Sequence, residues 1–561
     1  MKHNPNKNFL EKIYQFCLHS VRILMLAVTG IFLICGFLLT CCSVDMETQE
    51  VLTKWDNPFL SLPGTALLGL FLLFPAAYAS GKMTAYHIPR HSRHRLLRLL
   101  VLSWCIACGI LQILFGKTVP AADAYSVYDI AQSLAAGDTS VIHPTDSYLS
   151  YYPQQIGLAA FWEILIRIWN LIPIDQHAYH FMKIIYILLS CIIILFQEKT
   201  IHILWHDERT DCLYLLLAGA NCPFLMYTSF LYGEIPSFAA VSIGFYLLLR
   251  LLADKTTAPG TYALAAGSLF FLTLSVMLRK NSLIYIIAAV LVLLCTAFKQ
   301  RGKRFVLLLT ACAYILCAVT ILPGVQKLYE FRSGSTISSG VPASSYFAMG
   351  MQESSRANGW YNGFNFNTYQ DTGMNSEETT AISRKAIQER LSYFRVHPDY
   401  AVRFYAGKFL SQWADGTYAC RQATLATFGG RSSFFTSLYE GDYSRILIAY
   451  CNLYQNIVYL GAFWFCLTFS RQKRSSHGNA LSSEHSNTVS GRTLIPDTPP
   501  SSESAVSGLP VFLGLISVFG GLLFHMIWEA NARYIFLYGL TLLPYTARGL
   551  GLLADSLSNY K

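Results

Sequence analysis

The stretch that decides the fold is GKTVPAADAYSVYDIAQSLAAGDTSVIHPTDSYLSYYPQQIGLAAFWEILIRIW, Gly116 to Trp169. A strongly apolar run precedes it and another follows. Here acids, tyrosines, prolines and glycines collect for the first time between apolar segments. Asp123 opens a helix-like run, Ala124 to Ala136, which stops at Gly137, a residue type that ends helices. A Tyr-rich turn, Tyr148 to Tyr152, meets Pro153 and a second amphipathic run. An acid followed by two helices at a membrane surface suits chemistry on a lipid-borne substrate. The same residues also fit a solvated loop with a helix-capping Asp.

Outward from this stretch, composition sets the class. The chain has 561 residues, 53% hydrophobic and 13% charged. Its apolar runs are each about 17 to 23 residues long, the length that spans a bilayer as a helix. The expected fold is an all-α polytopic membrane protein of about twelve spans. The net charge of +10 lies in short connections between apolar runs, where orientation signals belong. No basic face interleaved with aromatics appears, so nucleic acid is not an expected partner. The 15 cysteines mostly lie inside apolar runs with no metal-ligand spacing, and read as small buried side chains. Leu38-Leu39-Thr40-Cys41 resembles a lipoprotein cleavage site only faintly, and an uncleaved first span from Val21 to Cys42 is expected.

Charge places the ends. Lys2, Lys7 and Lys12 put the N-terminus inside, and Lys82, Arg90, Arg93, Arg95 and Arg98 mark the inside again after a second span. A third span, Leu99 to Phe115, then delivers Gly116–Trp169 outside. If Pro153 to Leu171 crossed the membrane, the clusters at Lys299–Arg304 and Arg471–Arg474 would fall outside. That run therefore lies on the membrane surface: Glu163 and Arg167 stand at i and i+4, and Trp162 and Trp169 suit the interface. Spans four to nine follow at Tyr179–Phe196, Cys212–Leu231, Ile235–Leu252, Tyr262–Leu278, Ser282–Phe298 and Phe305–Leu322. The inner loop from Gln197 to Asp211 carries as much acid as base.

A loop of about 120 residues, Gly324 to Ser444, is outside. Asn375 with Glu378 forms a capping-box pattern, Ile387, Leu391 and Phe394 give an apolar face, and Pro398 restarts a helix carrying Phe404 and Trp413. It reads as a folded subdomain. The chain divides into 1–96 (inner tail and an extra transmembrane hairpin), 97–323 (transmembrane core, with the first outer loop at 116–177) and 324–445 (outer subdomain). The helix 446–470, a disordered inner linker at 471–508 and the last two spans within 509–561 complete it.

Four polar sets converge on the outer leaflet: Asp123; Glu234; Arg279 with Lys280; and Glu529 with Arg533. Charges at that depth usually have a partner or a job, the alternative for each being an interfacial anchor or helix-end charge. Acid plus arginine suits a polyprenyl-phosphate sugar. Arg forks onto phosphate oxygens and offsets charge on the leaving group, and a carboxylate can take the proton from an acceptor hydroxyl.

On these residues the chain resembles the membrane-embedded C-type glycosyltransferases, in the protein O-mannosyltransferase-like and aminoarabinose-transferase-like branch, including uncharacterised Gram-positive bacterial members. The resemblance runs from about residue 97 to 553. Its features are Asp123 with Tyr125, Tyr151-Tyr152-Pro153, Tyr232-Gly233-Glu234, Arg279-Lys280-Asn281, and Trp528-Glu529-Ala530-Asn531-Ala532-Arg533-Tyr534. It implies Asp123 as the catalytic acid of the first loop and Glu234 as a second. It also implies Arg279, Lys280, Arg533, Glu529 and Tyr152 in substrate binding, a polyprenyl-phosphate sugar as donor, and a glycan, lipid or protein acceptor outside the cytoplasm. The chain departs from the family in having Asp123-Ala124 in place of an acid pair, with Asp129 and Asp146 as other first-loop acids, and this leaves metal use open. The implied protein sits in the cell membrane with its active site on the outer face.

Two other readings fit the pattern. An O-antigen-ligase- or polymerase-like enzyme would rely on paired loop arginines, for which Arg332, Arg356, Arg384, Arg395, Arg403, Arg421 and Arg431 are available. A transporter or lipid flippase would place charges near mid-membrane, whereas these sit at span ends.

The topology has a direct check. A cysteine at Ser486 should resist a membrane-impermeant thiol reagent in intact cells, above the labelling of the unsubstituted chain, and one at Ser354 should react. The reverse pattern would overturn the shared outer pocket.

Overall fold

The computed structural model describes residues 5–43, 48–85, 89–143, 145, 147–172, 177–254, 259–480 and 506–558. Helices α1 (Pro5–Leu38) and α2 (Pro58–Ala85) are joined through strands β1 (Leu39–Ser43) and β2 (Val51–Trp55), paired antiparallel with Leu39 opposite Trp55. α3 (Arg90–Leu111) ends in a π turn over Gln112–Gly116. The first outer loop holds α4 (Asp123–Ala136), α5 (Tyr148–Tyr151) and α6 (Ile156–Asn170). The core continues with α7 (Ala178–Trp205), α8 (Glu208–Ala220), α9 (Cys222–Tyr227), α10 (Glu234–Ala253), α11 (Pro259–Leu278), α12 (Leu283–Lys299) and α13 (Arg304–Ser333). The outer subdomain contributes α14 (Ala343–Gly350), α15 (Phe364–Asp371), α16 (Ser376–Val396), α17 (Pro398–Trp413), α18 (Cys420–Ala423) and α19 (Ser433–Tyr439). α20 (Asp442–Ala480), α21 (Leu513–Ile527) and α22 (Ala532–Ser558) close the chain.

The chain is an all-α polytopic membrane protein. Among the described residues ten helices are long and apolar enough to cross a membrane, against the twelve expected. The other two expected spans are helical but differ in kind. The fifth is broken into α8 and α9 where Asn221 caps the second piece by accepting from Phe224 N at 3.0 Å and Pro223 lacks the N–H to continue the first. The twelfth, α22, carries Arg533, Arg548 and Asp555, yet it is buried along Ile535–Ala547. It packs on α20, where Gly461 and Gly549 let the backbones meet; a Cβ on either would strike the other helix.

Several boundaries move. The first span ends at Leu38 and its expected last residues form β1. α13 continues past Leu322 to Ser333. α20 continues to Ala480, so the first part of the expected disordered linker is helical; residues 481–505, like Asp45, Glu47 and Asp146, lie outside the described residues. Leu391 is exposed, and the small core of the subdomain is Met351, Phe394 and Phe404. The acids of the inner loop are also explained. Glu198 and Asp211 are buried, Glu198 against Arg98 (2.7 Å) and His94, Asp211 against His202 (3.0 Å).

The largest correction concerns α6. Trp162 is fully buried and donates to the Tyr186 hydroxyl at 2.9 Å instead of lying at the interface. Trp169 stacks on Phe181. Glu163 does meet Arg167, at 2.9 Å, but as part of a buried knot. Glu163 also accepts from Arg332 Nη1 and the Tyr329 hydroxyl, both at 2.6 Å. Arg167 and Arg332 both donate to the Leu134 carbonyl at the end of α4, at 2.8 and 2.9 Å. One carboxylate therefore ties α4, α6 and α13 together. A helix that is apolar on most sides is stable only when enclosed, and α4, α7, α11 and α13 enclose it.

Arg167 and Arg332 keep 48% and 33% of their side chains exposed, so removing Glu163 costs less than the ~3–5 kcal/mol of a fully buried pair but still strips partners from the Tyr329 hydroxyl and both arginines. Glu163→Ala should therefore lower the unfolding midpoint in detergent by several degrees, and Glu163→Gln, which keeps the shape, should lower it less. An unchanged midpoint in Glu163→Ala would show that the knot contributes nothing.

Candidate functional site

The site begins with the presentation of Asp123. Lys117 to Val119 pair with the subdomain segment 426–428: Val119 N donates to Ala426 O at 2.9 Å and Phe428 N to Lys117 O at 3.0 Å. The chain then turns at Ala122 with φ +48°, outside the usual range for an alanine. Asp123 follows as the first helical residue of α4. Its carboxylate is exposed, and the N-cap position belongs to Ala122, so Asp123 is a first-turn acid and not the N-cap residue. Its charge reaches Tyr148, Tyr152, Tyr232, Tyr361 and Glu529.

A second group lies at the start of α10. Gly233 allows close approach there: a Cβ would stand 2.8 Å from Leu278 O and 3.4 Å from the Arg279 Cβ. This brings Glu234 against Arg279, whose Nη1 is 2.5 Å from Oε1, while Arg533 Nε is 3.5 Å from the same oxygen. Glu234 is fully buried, and the two guanidinium groups are largely so. These are ion contacts without hydrogen-bond direction: neither Glu234 oxygen nor Arg533 Nε has a directed partner. Two cations share one anion, so the group keeps a net positive charge and free N–H donors. Arg533 lies under the rings of Phe230, Tyr232 and Tyr534, and Arg279 under Tyr534.

Glu529 connects the two groups. The Tyr534 hydroxyl donates to its Oε1 at 3.1 Å. Burial first, and then the like charge of Asp123, push its carboxyl up to about 7, against the pull of Tyr534, Arg533 and Arg356. Lys408 of α17 reaches the same turn, donating to Trp528 O at 2.7 Å and to Gly350 O. Its amine is brought down to about 7 by burial, opposed by Glu529. Tyr152 is half-buried beside Tyr148, ring centroids 5.1 Å apart, and burial with the charge of Asp123 raises its hydroxyl.

The structure thus brings Asp123, Glu234, Arg279, Arg533, Glu529 and Tyr152 to one end of the bundle. Lys280 is not part of this set: it is exposed and forms no ion pair with a described residue. Asp129 is exposed further along α4. Lys408, Arg356, Tyr346 and Tyr361 come from the outer subdomain. The sequence marked that segment only as a folded subdomain with several arginines, because what aims these side chains is a contact about 120 to 240 residues away in the chain. The same region holds no group of three His, Cys, Asp or Glu side chains placed to share a metal ion among the described residues.

Lys408 and Glu529 act on stability in different pH windows. The unfolded chain keeps the Lys408 proton to about pH 10.5 and the folded chain only below about 7. Between these values the unfolded state binds more protons, so stability rises with pH. Glu529 is raised from 4.5 to about 7, so its contribution is full below 4.5 and is lost as pH rises through 7. Lys408→Met should flatten the rise in unfolding midpoint from pH 7 to 10 and leave the fall from 4.5 to 7. A rise that persists in Lys408→Met would show that another group causes it.

No family model matches the chain, and no curated protein matches it. Among solved structures it is similar to the archaeal oligosaccharyltransferase AglB from Archaeoglobus fulgidus, solved with an inhibitory peptide and a dolichol-phosphate. The likeness covers 82% of this chain and 51% of that one at 13% identity, with a TM-score of 0.42. The chain spans about half the length of that protein. At this identity and TM-score the likeness assigns neither a family nor an activity.

Proposed function

We propose that this chain is an integral membrane glycosyltransferase of the cell membrane, moving a sugar from a polyprenyl-phosphate donor to an acceptor outside the cytoplasm with inversion. The observation that carries the reading is that an exposed carboxylate, Asp123, and a cationic pair with free donors, Arg279 and Arg533, act electrostatically on the same Tyr232 at one end of the bundle. The donor phosphate binds the two guanidinium groups, whose planar donors fit its oxygens. Its prenyl chain stays in the bilayer. Glu234 holds the guanidinium groups in place; with no exposure of its own, it has no route to the acceptor. Tyr148, Tyr152 and Tyr361 offer ring faces and hydroxyls to the sugar. Asp123 takes the proton of the acceptor hydroxyl as that oxygen bonds to the anomeric carbon. Attack from the face opposite the phosphate breaks the bond to the phosphate oxygen and inverts the centre.

Loop arginines count against the ligase-like alternative. Arg332 belongs to the Glu163 knot, Arg421 donates to the Tyr439 carbonyl, and Arg431 to the Thr424 and Leu425 carbonyls. Arg403 pairs with Asp399 on the subdomain surface.

The test is sugar release from a panel of polyprenyl-phosphate sugars by purified protein. Asp123→Asn keeps the shape and removes the proton acceptor, so turnover should fall about 10²- to 10⁴-fold with expression and donor affinity retained. Arg279→Ala should weaken donor use, and Arg279→Lys should recover only part, because a point charge lacks the fork. A near-normal rate in Asp123→Asn would falsify its role as base, and unchanged donor affinity and turnover in Arg279→Ala would leave Arg279 as an interfacial anchor.

A further inference from the structure

We propose that Glu529 is the general acid of this transfer, delivering a proton to the phosphate oxygen that leaves the anomeric carbon. The inference rests on the function proposed above. It explains a carboxyl that the binding of an anion alone does not need.

Glu529 is 9% exposed and its backbone is held from two sides. Ala530 N donates to Gly359 O at 2.8 Å, and Lys408 Nζ to Trp528 O at 2.7 Å. Oε1 accepts from Tyr534, and Oε2 accepts from no described residue. Every packed element sends a polar or charged group toward it: Asp123 from α4, Tyr152 from the first outer loop, and Arg533 and Tyr534 from α22. The subdomain adds Arg356, Tyr361, Tyr346 and Lys408. His525 of α21 places Nδ1 3.4 Å from the Glu529 carbonyl oxygen. The carboxyl therefore feels the charge of both the base, Asp123, and the phosphate-binding Arg533.

That position matches the leaving group. A phosphate on Arg279 and Arg533 brings negative charge next to Glu529, and a like charge favours the protonated carboxyl. The acid is thus kept protonated when the donor is bound. In the transfer the acceptor oxygen bonds to the anomeric carbon and its proton passes to Asp123. The bond from the anomeric carbon to the phosphate oxygen breaks, its electron pair stays on that oxygen, and the Glu529 proton follows. The products are the glycosylated acceptor and a polyprenyl phosphate monoanion. Asp123 is left protonated and Glu529 ionised, and one proton passed from the first to the second through pocket water restores both.

The test uses purified full-length protein with undecaprenyl-phosphate mannose, glucose and galactose, reading sugar release from pH 5.5 to 9.5. The wild-type rate should fall on the alkaline side as Glu529 loses its proton. Glu529→Gln should be slower by about 10²-fold or more, lack that alkaline fall, and keep donor KM within a few-fold. Glu529→Asp should restore the alkaline fall, and Asp123→Asn should retain it. A wild-type rate in Glu529→Gln overturns the inference, as does a slower rate with the alkaline fall intact, which would make Glu529 a support for Tyr534. In both cases the proposed function stands. Failure of the wild-type protein to release sugar from any of the three donors overturns that function and this inference together.

Discussion

A carboxylate with no exposure, Glu234, faces two guanidinium groups at one end of the bundle. Taking such a group out of water costs several kcal/mol unless opposite charge and hydrogen bonds replace the water. Here the replacement is incomplete. The partners touch, but the bonds lack direction, so the arginines hold the acid while their remaining donors stay free. Three chain segments must come together for this: the start of α10, the turn after α11 and the first turn of α22. Gly233 removes the Cβ that would keep the first two apart. The enclosed packing of α22 against α20 fixes the third.

The outer subdomain depends on the same end of the bundle. Trp413 at the close of α17 is buried, stacked on Phe32 of α1 at 4.4 Å and near Tyr538 of α22 at 6.2 Å. Tyr459 of α20 donates to its carbonyl at 2.7 Å. On the other side, Val341 N donates to Tyr151 O, and Tyr151 stacks on Phe366 at 4.7 Å. The subdomain is thereby fixed to both the bundle and the first outer loop. It carries Tyr361 and Arg356 over Glu529, and its segment 426–428 holds the strand that leads to Asp123. Positioning of the acid and closure of the pocket are consequences of one docking.

Much of the architecture could be read from apolar length, because a membrane helix must satisfy its own backbone. α10, α11 and α12 lie close to their expected bounds, α7 starts where expected but runs on to Trp205 into the expected inner loop, and α4 starts at Asp123 and stops at Gly137 as its residues indicated. What failed has a common cause. Trp162 was expected at the interface beside the polar pair Glu163 and Arg167, and nothing local reveals that Arg332 and Tyr329 will meet Glu163 from more than 160 residues away. The break at Asn221 was legible in Asn-Cys-Pro, but the apolar run around it concealed it. The charged and aromatic site residues at span ends could be identified individually. Their grouping depended on topology, and the subdomain's contribution, Lys408 above all, has no local signal.

The three acids of the site differ in environment more than in chemistry, and this separates their tasks. Asp123 is exposed at the start of α4, which suits a base open to an incoming acceptor. Glu234 is enclosed and faces two cations, which suits a group that holds them in place. Glu529 lies between these extremes: buried, near a like charge, and only partly answered by Tyr534, Arg533 and Arg356. An exposed carboxylate and a buried carboxyl are suited to opposite proton transfers in one site. The separation is lost if Asp123 and Glu529 exchange surroundings, so the strained turn at Ala122 and the clamp of Lys408 on Trp528 have a chemical consequence. One keeps its acid in water, and the other keeps its acid out of it.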